Sequence, residues 1–128
     1  MDTISGKLNE YGYPILNDVS IFNFNNELIE CSAIVDTGAH GFYLKQYLID
    51  LLKLPVIGTI AQHNPIDGES EGNLYLGKLV IQKLDFGNIE IATLLSHSFP
   101  ADFIVGNKFL IDKTFNYFGK AGDFNISF

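Results

Sequence analysis

The stretch Ala33-Ile34-Val35-Asp36-Thr37-Gly38-Ala39 decides how this chain of 128 residues is interpreted. Three consecutive apolar residues are typical of a short strand that is buried on both faces. The strand leads Asp36 into a turn, where Gly38 permits a backbone conformation that a β-carbon would resist. A carboxyl at the end of a rigid strand is held in place, as a catalytic group must be. Taken only as local structure, Asp-Thr-Gly is also an ordinary turn.

The residues before and after this turn predict strands and one helix. Pro14–Phe24 alternates partly between apolar and polar, Asn25-Asn26 marks a turn, and Glu27–Val35 is the partner strand. In Phe42–Lys53, apolar residues recur at spacings of three and four, which is typical of an amphipathic helix that Pro55 ends. We therefore expect the turn to lie between a buried strand and this helix.

Two further turns are predicted downstream. His63–Asn73 is rich in turn-forming residues and lies between two strand-like segments, Ile57–Ala61 and Leu74–Ile81, which predicts a β-hairpin with an exposed tip. Asp85-Phe86-Gly87-Asn88 predicts another turn. Its first three residues imitate a kinase magnesium motif, but the other kinase elements are missing from this short chain.

The C-terminal part completes a mainly β pattern. Phe103–Gly106 is a short apolar run, Asn107–Asp112 has the length of a helical turn, and Phe115–Phe118 and Phe124–Phe128 are predicted as closing strands. The sequence contains no interior linker, repeat or low-complexity segment. We expect one domain over residues 1–128, mainly β, with one principal helix.

At this point the sequence resembles a known family. Ala33–Ala39 is similar to the active-site turn of retropepsin-like (retroviral-type) aspartic proteases. Phe103-Ile104-Val105-Gly106, followed by a short helix, resembles the apolar-apolar-Gly segment of that family. The two segments are 106 − 36 = 70 residues apart, and the predicted hairpin lies between them, where the family has its flap. The resemblance extends in order from about Ser20 to Phe128.

The resemblance implies a closed β-barrel of the acid-protease type and an aspartic endopeptidase that works as a homodimer. In the family, two aspartates share one proton, because two close carboxylates cannot both ionise cheaply. This chain contains one Asp-Thr-Gly and no Asp-Ser-Gly, so a second copy would have to supply the second carboxyl. The partners implied are a second copy of the chain and a polypeptide substrate, with no cofactor.

The site residues implied by the resemblance fall into three groups. Asp36 would be the catalytic acid and base, within an active-site turn that continues through Thr37, Gly38 and Ala39. Thr37 would brace its counterpart across the dimer. The flap, about Asn64–Asn73, would close over a peptide, and the supporting loop would lie behind the turn. The flap residues are Asp67, Gly68, Glu69 and Gly72, and the supporting residues are Ile104, Val105 and Gly106.

Three details of the resemblance stay open in the sequence. The flap tip is at Gly68 or near Gly72. The acidity contributed by Asp67, Glu69 and Glu71 indicates either a closing surface unlike that for ordinary peptides or a preference for basic substrates. The C-terminal segment Phe118–Phe128 is a candidate for pairing with its symmetry mate.

Composition excludes several other classes. A net charge of −7, with no cluster of Lys or Arg, disfavours nucleic acid as a partner. No apolar stretch is long enough to span a bilayer and the N-terminal residues resemble no signal peptide, so we expect a cytoplasmic protein. The spacing of His40, His63 and His97 predicts no metal site. Cys31 is expected to be a small core residue, with a catalytic thiol as the alternative.

Two other functions remain compatible with the sequence. The same fold could serve as a dimerisation or peptide-binding module without turnover, for example by holding an extended peptide as an added strand. Alternatively, the Asp-Thr-Gly turn is incidental, which predicts a monomer.

Overall fold

The computed structural model describes residues 2–64, 68–95 and 99–128. The strands in chain order are β1 (Thr3–Leu8), β2 (Pro14–Phe22), β3 (Leu28–Val35), β4 (Phe42–Lys45), β5 (Val56–Asn64), β6 (Gly68–Ile81), β7 (Leu84–Leu94), β8 (Phe103–Val105), β9 (Thr114–Phe118) and β10 (Asp123–Ser127). The helices are α1 (Gln46–Leu52) and α2 (Asn107–Leu110).

The strands form one sheet that closes on itself. Its order is β5-β6-β7-β4-β8-β3-β2-β1-β10-β9, and an additional pairing between β6 and β2 closes six of these strands into a barrel. Closure gives each of these six strands at least two neighbours and removes the open edges that an unclosed sheet would expose. The prediction of a mainly β, closed barrel with one principal helix is confirmed.

The core of the barrel, together with the helix and terminal strands packed on it, is apolar. Burying apolar side chains of this size stabilises the fold by about 1.5–3 kcal/mol each. The largest side chains with essentially no exposure are Phe103, Phe124, Ile4, Leu16, Ile21, Leu44, Ile49, Leu79, Ile81, Ile91, Ile126 and Val19. The barrel therefore supplies a rigid frame for the strand ends that carry the candidate site.

The short strand β8 lies at the centre of the part that positions the site. It pairs in parallel with β3, with Ile34 opposite Ile104 and Val35 opposite Val105. On its other side it pairs antiparallel with β4, with Phe42 opposite Val105. Strands β3 and β4 are joined by the turn that contains Asp36, so the turn connects two strands that are both paired to β8.

The predicted helix over Phe42–Lys53 is too long, because its first four residues form a strand instead. Phe42–Lys45 forms β4, in which buried and half-buried residues alternate, as expected for a strand. The helix begins only at Gln46. Tyr47 and Leu51 are 61% and 68% exposed, so they do not belong to the core-facing stripe. The spacing of the apolar residues suited a helix, but pairing of β4 with β7 and β8 outweighed that local preference.

The predicted turn at Asp85-Phe86-Gly87-Asn88 is also wrong. The turn between β6 and β7 is Gln82-Lys83, whose φ angles are 50° and 70°. Phe86 is the extra residue of a β-bulge inside β7, because Leu79 pairs with Gly87 and Val80 pairs with Asp85. Gln-Lys carries no usual turn signal, whereas the Asp and Gly residues that suggested a turn form the bulge instead.

The terminal strands form an extension of the barrel sheet. Strand β10 lies between β1 and β9 and pairs antiparallel with both. Both edges of β10 are therefore taken within its own chain, and β9 is the last described strand at this end of the sheet. Strand β10, which lies in the segment Phe118–Phe128 predicted to pair with its symmetry mate, thus has no edge left for that pairing.

Neither helix in the described ranges is long and apolar enough to cross a membrane.

Candidate active site

Backbone hydrogen bonds hold Asp36 at the end of β3. Its N–H donates to the Val105 carbonyl at 3.0 Å, which extends the pairing of β3 with β8 by one residue. Its carbonyl accepts from the Ala39 N–H at 3.1 Å and closes the turn. Its carboxylate Oδ1 accepts from the Gly38 N–H at 2.8 Å. The last bond fixes the rotation of the carboxyl group relative to the turn.

The predicted supporting residues lie directly behind this turn. Ile104 and Val105 are buried in β8. Gly106 donates its N–H to the Gly41 carbonyl at 2.9 Å. A β-carbon on Gly106 would lie 2.6 Å from the Ala39 carbonyl oxygen, closer than such atoms can approach. The apolar-apolar-Gly pattern therefore has a steric cause, since only glycine lets β8 and the turn come this close.

Asn107 makes a contribution that the sequence interpretation missed. Its side-chain amide donates to the Thr37 carbonyl at 2.6 Å. Its backbone N–H donates to the Ala39 carbonyl, and the Lys108 N–H donates to the His40 carbonyl, both at 2.8 Å. The available signal was a polar residue with two amide hydrogens directly after Gly106. The start of α2 thus holds the turn at three carbonyls, those of Thr37, Ala39 and His40.

The turn opens towards solvent. Asp36 and Ala39 are half-buried, whereas Thr37, Gly38 and His40 are exposed. No hydrogen bond to the Asp36 Oδ2 atom is formed by the residues that the structure describes. The carboxyl is thus anchored through one oxygen, and the surface around it is available to another molecule.

The predicted flap is a hairpin of β5 and β6, but one of its predicted tip positions is wrong. The strands pair from Val56–Tyr75 to Asn64–Gly68, and Gly72 lies inside this ladder opposite Ile60. Gly68 begins β6 with a φ of 78°. Asp67, which was predicted as a flap residue, lies outside the described residues.

The acidic side chains that can be placed on the hairpin face water. Glu69 and Glu71 are both exposed on β6. No hydrogen bond among the described residues joins the hairpin to the Asp36 turn. The structure thus brings the turn and its supporting residues together, and it presents the hairpin as a separate projection of the sheet.

The alternative catalytic group, Cys31, is a core residue. It is buried in β3, and burial, with a smaller effect of the Asp102 charge, raises the pKa of its thiol to about 12. A thiol with so high a pKa contributes almost no nucleophilic thiolate near neutral pH. As for metals, residues 2–64, 68–95 and 99–128 contain no cluster of three or more His, Cys, Asp or Glu residues able to bind an ion.

Comparison with known proteins supports the fold. No protein-family model and no curated protein matches the sequence. A retropepsin-like aspartic protease from Rickettsia conorii has a similar structure, with a TM-score of 0.65 and 20% sequence identity. The match covers 99% of this chain and 91% of that chain. At this identity the likeness concerns the path of the backbone, and the chain therefore has the retropepsin-like fold that the Asp36 turn predicts.

Proposed function

We propose that this protein is an aspartic endopeptidase whose active site assembles from two copies of the chain, each contributing Asp36. The observation that carries the proposal is the construction of the turn. Asp36 is held by β8 through its backbone and by Gly38 through its carboxylate, while the surrounding residues stay open to solvent. A rigid carboxyl on an open surface suits a site that a partner molecule completes.

The need for two copies follows from the chemistry. Peptide hydrolysis requires one group that takes a proton from water and one that donates a proton to the carbonyl oxygen. A single carboxylate cannot be in both states at once. Two carboxyls in contact share one proton, because their mutual repulsion raises the pKa of one member of the pair. A two-fold axis beside Asp36 would provide this pair from one gene product.

In the assembled site each group has a defined task. The ionised Asp36 takes a proton from a water molecule, which attacks the peptide carbonyl carbon. The protonated Asp36 of the other copy gives its proton to the developing oxyanion, which leaves a tetrahedral gem-diol. The first Asp36 then passes the proton it took to the amide nitrogen, the C–N bond breaks, and a hydroxyl of the intermediate returns a proton to the second Asp36 as the new carboxyl forms. Gly38 leaves room for the substrate backbone, and Thr37 braces the partner's turn. The hairpin, with its described residues Gly68, Glu69 and Gly72, closes over the peptide and excludes water.

The decisive experiment compares Asp36→Asn with the parent protein in cleavage of a mixed peptide library. Asparagine keeps the oxygen that accepts from Gly38, so the turn and the dimer should survive while cleavage is lost. Asp85→Asn is a matched control, because Asp85 Oδ1 accepts from the Gly87 N–H at the same 2.8 Å in an equivalent Asp-X-Gly segment. Asp85→Asn should cleave like the parent, and equal cleavage by Asp36→Asn would reject the catalytic role.

Two additional measurements test the shared proton and the dimer. Cleavage should depend on pH in a bell shape, because both the fully protonated and the fully ionised pair are inactive. Sedimentation of the parent protein should give a dimer at the concentrations used for cleavage. A flat acidic profile, or a protein that cleaves peptides as a monomer, would contradict the two-copy site.

The second candidate function is a peptide-binding module without turnover. It is favoured by β5, which among the described strands pairs with β6 alone and therefore presents an edge to which an extended peptide could add. The library experiment distinguishes the two functions. A module retains peptides uncut and is indifferent to a transition-state-like inhibitor of aspartic proteases, whereas the peptidase releases new termini and is inhibited.

The acidic hairpin suggests the substrate class. Because Glu69 and Glu71 are exposed on β6 and the chain carries a net charge of −7, we expect peptides with Lys or Arg near the cleaved bond to be preferred. Replacing both residues by Gln should reduce this preference, which competition between basic and neutral peptides would measure. An unchanged ratio of cleavage would show that the hairpin charges do not select the substrate.

A further inference from the structure

The side chain of Gln62 reaches across its own hairpin. Gln62 lies on β5, and the sheet places β6 between β5 and β7. The side-chain Nε2 nevertheless donates to the Thr93 carbonyl, on β7, at 3.2 Å. The ladder between β6 and β7 ends at the pair Tyr75–Ile91, two residues before Thr93. The amide thus bonds the carbonyl of a strand to which its own strand is not paired.

Gly72 is what makes this reach possible. It lies on β6, the strand that Gln62 crosses, and a β-carbon on Gly72 would stand 2.6 Å from the Gln62 Cδ atom. Its φ lies outside the left-handed region, so the requirement for glycine here is one of space rather than of backbone conformation. Any larger residue would displace the Gln62 side chain, which is flexible, rather than the strand. The role of Gly72 is therefore to leave a gap for one amide group.

Further hydrogen bonds connect Thr93 to α1 and to the core of the barrel. The Thr93 hydroxyl donates to the Gln46 Oε1 atom at 2.6 Å. Gln46, the first residue of α1, donates its Nε2 to Asp50 Oδ1 at 2.9 Å and to the Tyr75 hydroxyl at 3.3 Å. Tyr75 is buried, so the chain of bonds ends on the core. Through Gln62 and Thr93, the hairpin is thus connected to β7 and to α1.

We propose that Gln62, passing over Gly72 to the Thr93 carbonyl, is a latch that sets the position of the β5–β6 hairpin, and that it is a positioning residue for substrate capture. The second half of this proposal rests on the proposed peptidase function. A two-stranded ribbon is marginally stable by itself, so one additional hydrogen bond from its outer half, where Gln62 pairs with Ser70, to β7 changes how often the hairpin moves away from β7. Because binding requires the hairpin in its closed position, the apparent affinity for a peptide falls with the fraction of time that it spends there.

Hydrogen exchange of the full-length protein tests the latch without any need for activity. Gln62→Ala should speed exchange at the hairpin amides of residues 58–61 and 70–74 about fivefold, the effect of one net hydrogen bond. Gly72→Ala should do the same by displacing Gln62. The double variant should exchange no faster than Gln62→Ala alone, because both changes remove one contact. Exchange in β3 and β8 should be unchanged in all three variants.

Either of two results would overturn the proposal that Gln62 is a latch. Parent-like exchange in Gln62→Ala, or effects of Gln62→Ala and Gly72→Ala that simply multiply in the double variant, would show that the contact does not hold the hairpin. A matched pair of variants tests whether the bond from the Thr93 hydroxyl to Gln46 supports the latch. Thr93→Ser keeps the hydroxyl and Thr93→Val removes it. Only Thr93→Val should speed hydrogen exchange in the hairpin. Equal exchange in the two variants would show that the bond to Gln46 does not support the latch.

Steady-state cleavage tests the link to substrate capture. In Gln62→Ala, KM should rise, by at most about fivefold, while kcat stays within about twofold, because the closed complex is unaltered and only its population changes. An unchanged KM, or a loss confined to kcat, would overturn the role in capture. If the parent protein cleaves no peptide, the peptidase proposal fails, and the exchange comparison still decides the latch.

Discussion

Gly106 lies against Ala39 so closely that a β-carbon on Gly106 would come within 2.6 Å of the Ala39 carbonyl oxygen. On the same side, the Gly106 N–H donates to the Gly41 carbonyl at 2.9 Å. These two contacts set how deeply the turn that carries Asp36 sits against the end of β8. Because the atoms involved are backbone atoms, they cannot rotate away as a side chain would.

Gly106→Ala should therefore push the turn outwards. We expect a loss of about 1–3 kcal/mol in the free energy of unfolding, the usual cost of overfilling a packed site. Cleavage should fall at least tenfold, because small displacements of a catalytic group have large effects on rate. Urea unfolding and peptide cleavage measure the two effects. Gly41→Ala is the control, since a β-carbon there meets nothing within 4 Å, and equal behaviour of the two variants would contradict this explanation.

Asn107→Ala should weaken the turn without unfolding the protein. It removes the side-chain bond to the Thr37 carbonyl, and we expect a cost of about 0.5–1.5 kcal/mol together with a clear loss of cleavage. The control is Asn116→Ala, which removes the bond from Asn116 Nδ2 to Asn125 Oδ1 at 2.8 Å between the terminal strands β9 and β10. If both variants lose stability but neither loses activity, Asn107 does not position the turn.

Cys31 should make the protein less stable in alkali. Its thiol has an ordinary pKa of 9.0 when unfolded and about 12 when buried in the fold. Between these values the unfolded chain releases a proton that the folded chain keeps, so stability falls with rising pH by up to about 1.4 kcal/mol per pH unit. Below the lower value the effect is absent.

Unfolding by urea across the alkaline range, in parent and Cys31→Ala, measures this difference. The variant loses packing at every pH, but the additional loss above the ordinary thiol pKa should be smaller than in the parent. A thiol reagent should also react with the folded parent much more slowly than with the unfolded chain. Parallel stability curves, or rapid labelling of the folded protein, would show that the thiol ionises freely.

Asn23→Ala should destabilise the connection between β2 and β3. The Asn23 Oδ1 atom accepts from the backbone N–H groups of Asn25 and Glu27, and its Nδ2 donates to the Leu52 carbonyl at the end of α1. Asn23 is the buried polar side chain of the described core, so we expect a cost of about 1–3 kcal/mol for the groups left unpaired.

An equivalent turn near the surface provides the control for Asn23. Asn9 Oδ1 accepts from the N–H groups of Tyr11 and Tyr13 in an exposed setting, where water can replace the lost bonds. Asn9→Ala should therefore cost less than Asn23→Ala in urea unfolding. Equal costs would mean that burial at Asn23 adds nothing to the local turn geometry.

The Asp36 turn and its supporting loop were predictable because each depends on a local steric or chemical need. Gly106 is fixed by close approach, and the apolar residues around it by burial on two faces. The expectation for Gly38 is not confirmed, because its φ lies outside the left-handed region and a β-carbon there would meet only the Asp36 Oδ1 atom, at 3.2 Å. The bond from Asn107 to Thr37 was not predictable, because it joins groups that become neighbours only when β8 is placed beside β3.

The elements that were misassigned from the sequence share one physical cause. Phe42–Lys45 has spacing compatible with a helix, and it becomes a strand because β7 and β8 provide partners for it on both sides. Asp85 and Gly87 are turn-forming residues that serve a bulge, while the actual turn falls on Gln82-Lys83. Gly72 suggested a tip, although its small size serves the side chain of Gln62. In each case a non-local contact outweighed a local preference.

The pairing of β1 with β10 has a consequence for how the chain folds. Thr3 and Ser127 are register partners, and their hydroxyl groups lie 3.4 Å apart although 124 positions separate them along the chain. Contacts of such long range raise the contact order and slow folding, to about milliseconds or longer in small β proteins. During synthesis, the edge of β1 that pairs with β10 stays unpaired until β10 has emerged from the ribosome. That interval is when the protein is most exposed to aggregation, and chaperone binding should be sought there.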